Sequence, residues 1–288
     1  MRNLTEENLT DIVLERIKSD DKRSQEVLTK LIKHLHAFIK DLEPTEEEWF
    51  KAIDFLTRTG KKCDDKRQEF ILLSDVLGVS MLVDAINHRT SQDATETTVT
   101  GPFHAPAMEM QMGDNIARGK EVETGEPALF RGKILDPDGK PIKNAKIDVW
   151  QSNDDGFYDI QDSSQPEMNL RGIFTTDETG EFWFKSIKPS PYPVPTDGPV
   201  GEVLRASGRH PMRPAHIHFW IEAEGYQTLI THIFVEGDEY LDSDAVFGVK
   251  ESLILDFPLN ENKADAEKWG FKSAFCDVEY DFKLARKA

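Results

Sequence analysis

Cysteine is scarce in this sequence, since only Cys63 and Cys276 occur among its 288 residues. Two cysteines in a chain of this length offer no disulfide framework, and such usage is typical of proteins from a reducing compartment. The N-terminus lacks a basic start followed by an apolar stretch, and no apolar run approaches membrane-spanning length. We therefore expect a cytoplasmic protein without a membrane span.

Positive charge is also in short supply. Lys and Arg number 35 against 53 Asp and Glu, which gives a formal net charge of -18. Phosphate binding depends on clustered cations that release counterions, so this balance argues against a nucleic-acid partner and against anionic membrane surfaces. The composition is otherwise that of an ordinary globular protein, with 38% hydrophobic and 31% charged residues.

The first hundred residues carry apolar side chains at helical spacing. One stripe has members three or four residues apart, namely Val27, Leu28, Leu31, Ile32, Leu35, Phe38, Ile39 and Leu42. Thr45 and Glu48 then form a capping-box pattern, with a stop near Gly60. A further helical stretch is predicted from about Lys66 to Asn87. The apolar faces of this small bundle could pack internally or against a second copy of the chain.

From Leu129 onward the apolar period is two, which indicates strands. Residues 129–135 and 145–151 are predicted to pair across a turn, and residues 171–176 and 182–187 to form a second hairpin. Further strands are predicted at 215–221, 227–235, 249–255 and 276–284. Short strands with regular turns favour an antiparallel sandwich over an alternating α/β fold. The predicted fold is mainly β, with a helical domain at 1–100 and a β-sandwich catalytic domain at 101–288.

Two histidines on one predicted strand are the most informative feature. His216 and His218 are two residues apart, so both imidazoles point to the same side of an extended chain. Because histidine is the commonest metal ligand, the pair favours a metal site. A hydrogen-bonded core histidine next to a surface histidine would give the same spacing.

Two tyrosines stand in unusual settings. Tyr158 is in a loop just beyond a strand, and Tyr192 is in a loop whose prolines fix their own φ and restrict each preceding residue. Each tyrosine alone is better explained by packing. If both join the two histidines around one ion, the donor set is two phenolate oxygens and two neutral nitrogens. Ferric iron suits that set, because hard anionic oxygen neutralises its high charge.

At these residues the chain resembles the intradiol ring-cleaving dioxygenases, non-haem Fe(III) enzymes that open catechol-type rings between the two hydroxyls with O2. The matching segments are 101–103, 150–158, 171–172, 192–193, 213–218 and 236–241. The resemblance implies one Fe(III) per chain, with Tyr158, Tyr192, His216 and His218 as ligands. It also implies that Tyr192 leaves when substrate binds and that Arg213 steadies the bound dianion, although Arg213 could instead form a surface ion pair.

The stretch 240–250, with Thr231 and His232, is more similar to the branch of this family that cleaves hydroxyquinol, benzene-1,2,4-triol. The implied product is 3-hydroxy-cis,cis-muconate or maleylacetate, and the alternative is catechol or chlorocatechol cleavage to cis,cis-muconate. The resemblance implies a substrate pocket formed by Leu72, Asp75, Val99, Gly101, Pro102, Phe103, Val194, Pro195, Arg213 and Val246. Asp75 would bond the extra hydroxyl, unless it is an ordinary surface or capping carboxylate of a helix.

His232 departs from the family pattern, because many catechol-cleaving members carry glutamine at this position. We expect it to act beside the metal ligands, with a fifth ligand as the alternative, since four protein ligands leave a position open for catalysis. The resemblance further implies a homodimer through the N-terminal helices, with a phospholipid between the subunits.

Two other interpretations stay open at this point. His216, His218 and Glu222 match the H-x-H-x3-E core of cupin metal sites, but the glycine expected six residues before His216 is missing and both tyrosines would have no role. A non-enzymatic β-sandwich binding module, with structural histidines and a helical arm for assembly, would be colourless and free of iron.

Overall fold

The computed structural model describes residues 3–65, 67–89 and 93–287. Its helices are α1 (Leu9–Leu14), α2 (Lys22–Leu42), α3 (Glu46–Lys61), α4 (Glu69–Val76), α5 (Val79–Asn87), α6 (Glu121–Thr124), α7 (Pro199–Ala206) and α8 (Lys263–Trp269). Its strands are β1 (Pro127–Leu135), β2 (Lys146–Gln151), β3 (Arg171–Thr175), β4 (Glu181–Ile187), β5 (Tyr192–Pro193), β6 (Met212–Arg213), β7 (His216–Glu222), β8 (Leu229–Val235), β9 (Ile254–Leu255), β10 (Leu259–Asn260), β11 (Phe275–Glu279) and β12 (Phe282–Lys283). Helices cover more of the described residues than strands do, so the expectation of a mainly β chain is not confirmed.

The chain divides into two compact units, Met1–Thr57 and Arg58–Ala288. The first unit contains the predicted apolar stripe, which lies along α2. The predicted capping box is confirmed, because Thr45 N donates to Glu48 Oε2 at 2.8 Å and Glu48 N donates to Thr45 Oγ1 at 3.2 Å. No helix in the described part of the chain has the length and apolar content needed to cross a bilayer. The domain boundary predicted at residue 100 stays a prediction.

Three predicted elements need correction, and one of them is the strand expected at 276–284, which is two strands, β11 and β12. The helical stretch expected from about Lys66 is two helices, α4 and α5, separated at Gly78, whose φ of 72° is left-handed; Lys66 itself lies outside the described residues. The strand expected at 249–255 is mostly a 3-10 turn at Glu251–Leu253, which leaves only the short strand β9.

The second unit contains two five-stranded sheets. One has the order β10-β11-β1-β12, with β4 also paired to β1, and the other has the order β3-β2-β7-β8-β9. Most neighbours are antiparallel, but β1 runs parallel to β11 and β12, and β8 runs parallel to β9. The predicted antiparallel sandwich with a helical N-terminus therefore fits in broad terms, and its sheets are mixed.

The two predicted hairpins are wrong. β1 pairs with β4 and β2 pairs with β3, so the two strands of each predicted hairpin belong to different sheets. Turn residues show where the chain reverses, but the partner of a strand is decided by long-range packing. Phe130 of β1 lies opposite Phe184 of β4, for example, and both rings are buried in the core.

The main core lies between the two sheets. Phe130 of the first sheet and Phe219 of the second have ring centroids 5.0 Å apart, and Ile217 and Ile221 are buried in the same cluster. Successive side chains of a strand point to opposite faces. Since Ile217, Phe219 and Ile221 face the core, His216 and His218 of β7 face the opposite side of their sheet.

Candidate metal centre

The outer face of β7 and β8 gathers three buried imidazoles. His216 Nε2 and His218 Nε2 are 3.1 Å apart, and His232 of β8 lies directly opposite His218. The ligand atoms of the three histidines all lie within 4.8 Å of one another. The period-two spacing thus brings the two predicted imidazoles together, and the neighbouring strand adds a third.

Both tyrosines reach the same point from other segments. Tyr158, in the loop after β2, has its Oη 2.9 Å from His218 Nε2 and 3.2 Å from Tyr192 Oη. Tyr192 lies on β5 and is the register partner of Arg213 on β6. All these side chains are buried. Two phenol oxygens and two imidazole nitrogens therefore converge on one region.

Packing fixes the loop that carries Tyr158. The ring of Phe103 stacks on Tyr158 with centroids 4.8 Å apart, and Tyr158 N donates to Gln161 Oε1 at 3.0 Å. Gly156 has a φ of 81°, and a Cβ there would lie 3.1 Å from Tyr192 Cβ. Only glycine allows this close approach without strain, so Gly156 brings the two tyrosine segments together.

Neighbouring groups orient the histidine rings. His216 Nδ1 lies 2.7 Å from the carbonyl oxygen of Pro214. A carbonyl only accepts, so Nδ1 carries the proton and Nε2 presents its lone pair to the centre. The indole of Trp150 stacks on His218 at 4.5 Å, and Gly101 leaves room for that ring, since a Cβ would lie 3.3 Å from His218 Cε1.

Arg213 is the cation at this centre. Its side chain is 2% exposed, so it is not a surface residue, and Asp244 pairs with it. Its Nη1 lies 3.4 Å from Tyr192 Oη and 3.3 Å from His216 Nε2. Burial opposes its charged form, but Asp244, Tyr192 and Tyr158 together outweigh this effect and raise the pKa of Arg213 above its ordinary value. The guanidinium is therefore a permanent donor beside the tyrosines.

The protonation states match the requirements of a bound cation. Burial, followed by the charge of Arg213, lowers the pKa of His216 to about 3. Burial also lowers the pKa of His218 well below its ordinary value, with further contributions from His232 and His216. The imidazoles are thus neutral, which is the form that binds metals. Burial and the adjacent Tyr192 raise the pKa of Tyr158 well above 10, so ionisation of this phenol needs a strongly polarising ion.

His232 contacts the centre but differs from the other two histidines. Its Nδ1 lies 2.5 Å from Thr98 Oγ1, and its Nε2 is buried without a hydrogen-bond partner among the described residues. The ring centroid lies 4.2 Å from that of His218. Whether His232 acts beside the ligands or as a fifth ligand stays a prediction.

A cavity of about 520 Å³ lies next to the tyrosines. Five residues that were predicted to bind substrate line it: Leu72, Pro102, Phe103, Val194 and Pro195. Val99 and Val246 belong to the buried apolar cluster that also contains Leu72 and Val194. Phe103 lines the cavity and contacts the rings of both tyrosines, so the cavity adjoins the metal centre.

Asp75 lies in α4 and is 2% exposed, so it is not a surface carboxylate. Burial raises its pKa from 3.8, although Ser80 and the charge of Arg213 act in the opposite direction. Asp75 is not among the residues that line the cavity, so its role in substrate binding stays a prediction.

Other groups at the centre were not assigned roles from the sequence. Thr98, Trp150 and Asp244 contact His232, His218 and Arg213, respectively. Asp244 is 31 positions from Arg213, so no local spacing links the two residues. Only strand register could have indicated Trp150, which lies opposite His218.

The cupin arrangement is not formed. Glu222 is exposed at the end of β7 and accepts a hydrogen bond from Trp220 Nε1 at 3.0 Å. The three-histidine group of the described residues does not include it.

Comparisons with known proteins match nearly the whole chain. Residues 99–286 match the family model described as "Dioxygenase", and residues 21–95 match the model described as "Catechol dioxygenase N terminus". Hydroxyquinol 1,2-dioxygenase from Rhizobium sp. (strain MTP-10005) is 54% identical over 98% of this chain and 96% of the relative. 6-Chlorohydroxyquinol 1,2-dioxygenase from Cupriavidus pinatubonensis is 48% identical over 89% of this chain and 93% of the relative. A solved structure of hydroxyquinol 1,2-dioxygenase from Pseudomonas putida DLL-E4 has a TM-score of 0.89 at 46% identity and covers 98% of this chain and 99% of its own.

Proposed function

This chain belongs to the catechol dioxygenase family of intradiol ring-cleaving oxidoreductases, and from that membership we propose that it cleaves hydroxyquinol with O2. The names of the similar hydroxyquinol and chlorohydroxyquinol dioxygenases support this substrate. Cleavage between the two adjacent hydroxyls of benzene-1,2,4-triol gives 3-hydroxy-cis,cis-muconate, the enol form of maleylacetate. Catechol and chlorocatechols are the alternative substrates.

We infer that the metal is ferric iron, one per chain, with Tyr158, Tyr192, His216 and His218 as its ligands. The observation that carries this proposal is the unbroken series of contacts among their donor atoms, 3.1 Å between the two Nε2 atoms, 2.9 Å from His218 to Tyr158 and 3.2 Å between the phenols. Zinc usually takes His, Cys or carboxylate, whereas phenolate oxygen suits a hard trivalent ion. When bound, ferric iron supplies Lewis acidity and accepts electron density from the diol.

We assign the proton and charge handling to two side chains. The Oη of Tyr192 would accept one hydroxyl proton of the diol, which is general-base action by a group already in place. Arg213 Nη1, 3.4 Å from that oxygen, donates to the negative charge that the bound diol carries. We propose that His232 acts beside the metal ligands, because its ring centroid lies 4.2 Å from that of His218.

The apolar residues of the cavity hold the ring and exclude water. Leu72, Phe103 and Val194 offer the apolar walls that a planar aromatic ring needs. We propose that Asp75 bonds the third hydroxyl of hydroxyquinol. A buried carboxyl of raised pKa can donate or accept such a bond, and this would favour the triol over catechol.

The assembly and location follow as further proposals. We infer a homodimer through the N-terminal helices, with a phospholipid between the subunits, because α2 of the isolated chain exposes apolar side chains such as Leu31 and Phe38. A cytoplasmic location agrees with the two free cysteines, Cys63 and Cys276. Light scattering after size exclusion, with lipid extraction of the peak, tests the assembly, and a monomer at micromolar concentration would overturn it.

Steady-state kinetics tests the substrate. Iron-loaded protein is assayed with hydroxyquinol, catechol and 4-chlorocatechol, and the products are identified by NMR. We expect the highest kcat/KM for hydroxyquinol and one O2 consumed per ring opened. A higher kcat/KM for catechol would assign the chain to the alternative substrate, and cleavage outside the two hydroxyls would overturn the intradiol proposal.

A further inference from the structure

We propose that Asp244 is a positioning residue. It holds the guanidinium of Arg213 so that Nη1 points to Tyr192 Oη and to the bound diol. The inference rests on the proposed function, in which Arg213 steadies the negative charge of the substrate. It concerns a carboxylate that contacts neither a proposed metal ligand nor the cavity next to the tyrosines.

Asp244 occupies two of the three nitrogen atoms of the guanidinium. Arg213 Nε donates to Asp244 Oδ1 at 3.0 Å, and Nη2 donates to Asp244 Oδ2 at 3.3 Å. Such a two-point bond fixes the plane of the guanidinium as well as its position. Nη1 is the remaining nitrogen, and it lies 3.4 Å from Tyr192 Oη and 3.3 Å from His216 Nε2. The direction of Nη1 is therefore set by the carboxylate on the opposite side.

The carboxylate is itself held by backbone groups. Its Oδ1 accepts from Val246 N at 3.2 Å and its Oδ2 accepts from Gly248 N at 2.8 Å. A Cβ at Gly248 would lie 3.1 Å from Arg213 Nη2 and 3.2 Å from Asp244 Oδ2. The glycine thus leaves just enough room for the ion pair, and the carboxylate has no freedom to pivot.

The turn that carries Asp244 is braced from outside. Arg209 donates to the carbonyl oxygens of Val76 and Ala245, and its guanidinium lies 4.5 Å from the ring centroid of Phe247. Phe247 has a φ of 60°, a left-handed conformation that costs a non-glycine residue energy and that commonly persists where a site requires it. Residues 244–248 therefore form a turn whose conformation is held by Arg209. Packing in the core alone does not explain why this conformation is kept.

The ion pair is fully buried, since the side chains of Arg213 and Asp244 are both 2% exposed. Opposite charges in such a place neutralise each other, so the pair presents a directed donor rather than a net cation. Removing only the negative charge would leave the cation available to attract an anionic diol but free to turn. Loss of the fixed orientation of the Arg213 guanidinium should therefore lower kcat more than it raises KM.

Asp244→Asn tests the proposal, with the diol that the wild-type chain cleaves best as substrate. We expect kcat to fall by roughly 10²-fold, the scale of a misplaced catalytic contact, while KM changes by less than about tenfold. The tyrosinate-to-iron absorption band should persist with iron content unchanged, but its response to anaerobic addition of the diol should differ from that of the wild type. A kcat within about threefold of the wild-type value would overturn the proposal.

Asp277→Asn is the matched control. Asp277 Oδ1 accepts from Arg131 Nε at 3.0 Å, through the same kinds of atom as in the site but in a partly exposed pair of the other sheet. We expect this variant to keep the wild-type kcat and absorption band. An equal loss in both variants would mean that a broken ion pair acts through general destabilisation, which contradicts a positioning role.

A double-mutant cycle shows whether the effect of Asp244 on catalysis depends on Arg213. If Asp244 acts only through Arg213, Asp244→Asn should cost no more than about a further twofold in kcat/KM once Arg213→Gln is present. Fully additive losses would overturn the proposal.

Should Asp244→Asn fail to fold, Gly248→Ala keeps both charges and displaces the pair by a few tenths of an ångström, and a smaller loss of kcat with unchanged KM is expected. A wild-type chain that cleaves no diol would defeat the proposed function, whereas an active wild type with an unaffected Asp244→Asn defeats only this inference.

Discussion

The first four residues of β7 are all buried, but the two faces of the strand are chemically opposite. Ile217 and Phe219 pack into an apolar core, whereas His216 and His218 on the other face meet tyrosines and a buried arginine. Among the described residues, several buried nitrogens without a hydrogen-bond partner lie around the second face, including His218 Nδ1 and His232 Nε2. Buried polar groups are costly unless partnered. The comparison teaches that burial alone does not separate a core from a site, because the two faces differ in the chemistry of the side chains they bury.

Among these variants, Tyr158→Phe should have the largest effect on the site at the outer face of β7. It removes one phenolate oxygen and keeps the ring that stacks on Phe103. We expect kcat to fall by roughly 10²–10⁴-fold, the range for loss of a catalytic group, and the tyrosinate-to-iron band to weaken. Kinetics and absorption of the iron-loaded variant check this, and full activity with an unchanged band would show that Tyr158 is not a ligand.

Phe219→Ala instead removes packing on the face of β7 that points into the core. Phe219 is fully buried and contacts Phe130 and Phe282, so its truncation should cost about 3–5 kcal/mol of unfolding free energy through lost burial and a cavity. The position of the absorption band in the folded protein should not move. Urea unfolding and visible spectra measure the two effects, and a shifted band would mean that the faces are coupled.

Removal of iron should affect the face of β7 that carries the histidines and leave the apolar core on its other face packed. A ligand that binds only the folded state at about 100 times its Kd adds about 2.7 kcal/mol. We expect chelation to lower the Tm and abolish the visible band, while the near-ultraviolet signal of the buried aromatic core persists. An unchanged Tm after complete iron removal would contradict a metal held by four protein ligands.

The pH dependence of the metal-free protein should reveal the buried imidazoles. His216, with a pKa lowered to about 3 by burial and then by Arg213, is neutral when folded but takes up a proton on unfolding below about pH 6.5. Its contribution to stability is complete above pH 6.5 and declines as the pH falls toward 3, by up to about 1.4 kcal/mol per pH unit. Urea unfolding across this range measures the slope, which His216→Gln should reduce. An identical slope in that variant would contradict the buried neutral imidazole.

Asp75→Asn should have the smallest effect, confined to substrate choice. Loss of one hydrogen bond to the third hydroxyl predicts a roughly tenfold lower preference for hydroxyquinol over catechol. Asp84→Asn is a suitable control, because Asp84 on α5 is also buried but bonds Thr97. A preference that both variants retain would leave Asp75 without a role in recognition.

The sequence predicted local features well and long-range partners poorly. Period-two spacing placed His216 and His218 on one face, and the Thr45–Glu48 capping box was confirmed, because both depend on residues close in the chain. The predicted hairpins were wrong because turn residues do not encode which strand of a sandwich becomes the partner.

The same limit applies to the candidate site. Family resemblance pointed to the tyrosines, which are 34 positions apart and meet only in the fold. Asp244 could not be linked to Arg213, because a carboxylate in a loop gives no periodic signal and its partner comes from a different segment.

The visible absorption spectrum of the purified, iron-loaded protein tests the central claim most directly. Two tyrosinates on ferric iron should give a broad charge-transfer band and a burgundy colour, which Tyr192→Phe weakens without loss of the fold. A colourless protein that nevertheless contains one iron per chain would contradict the proposed ligands.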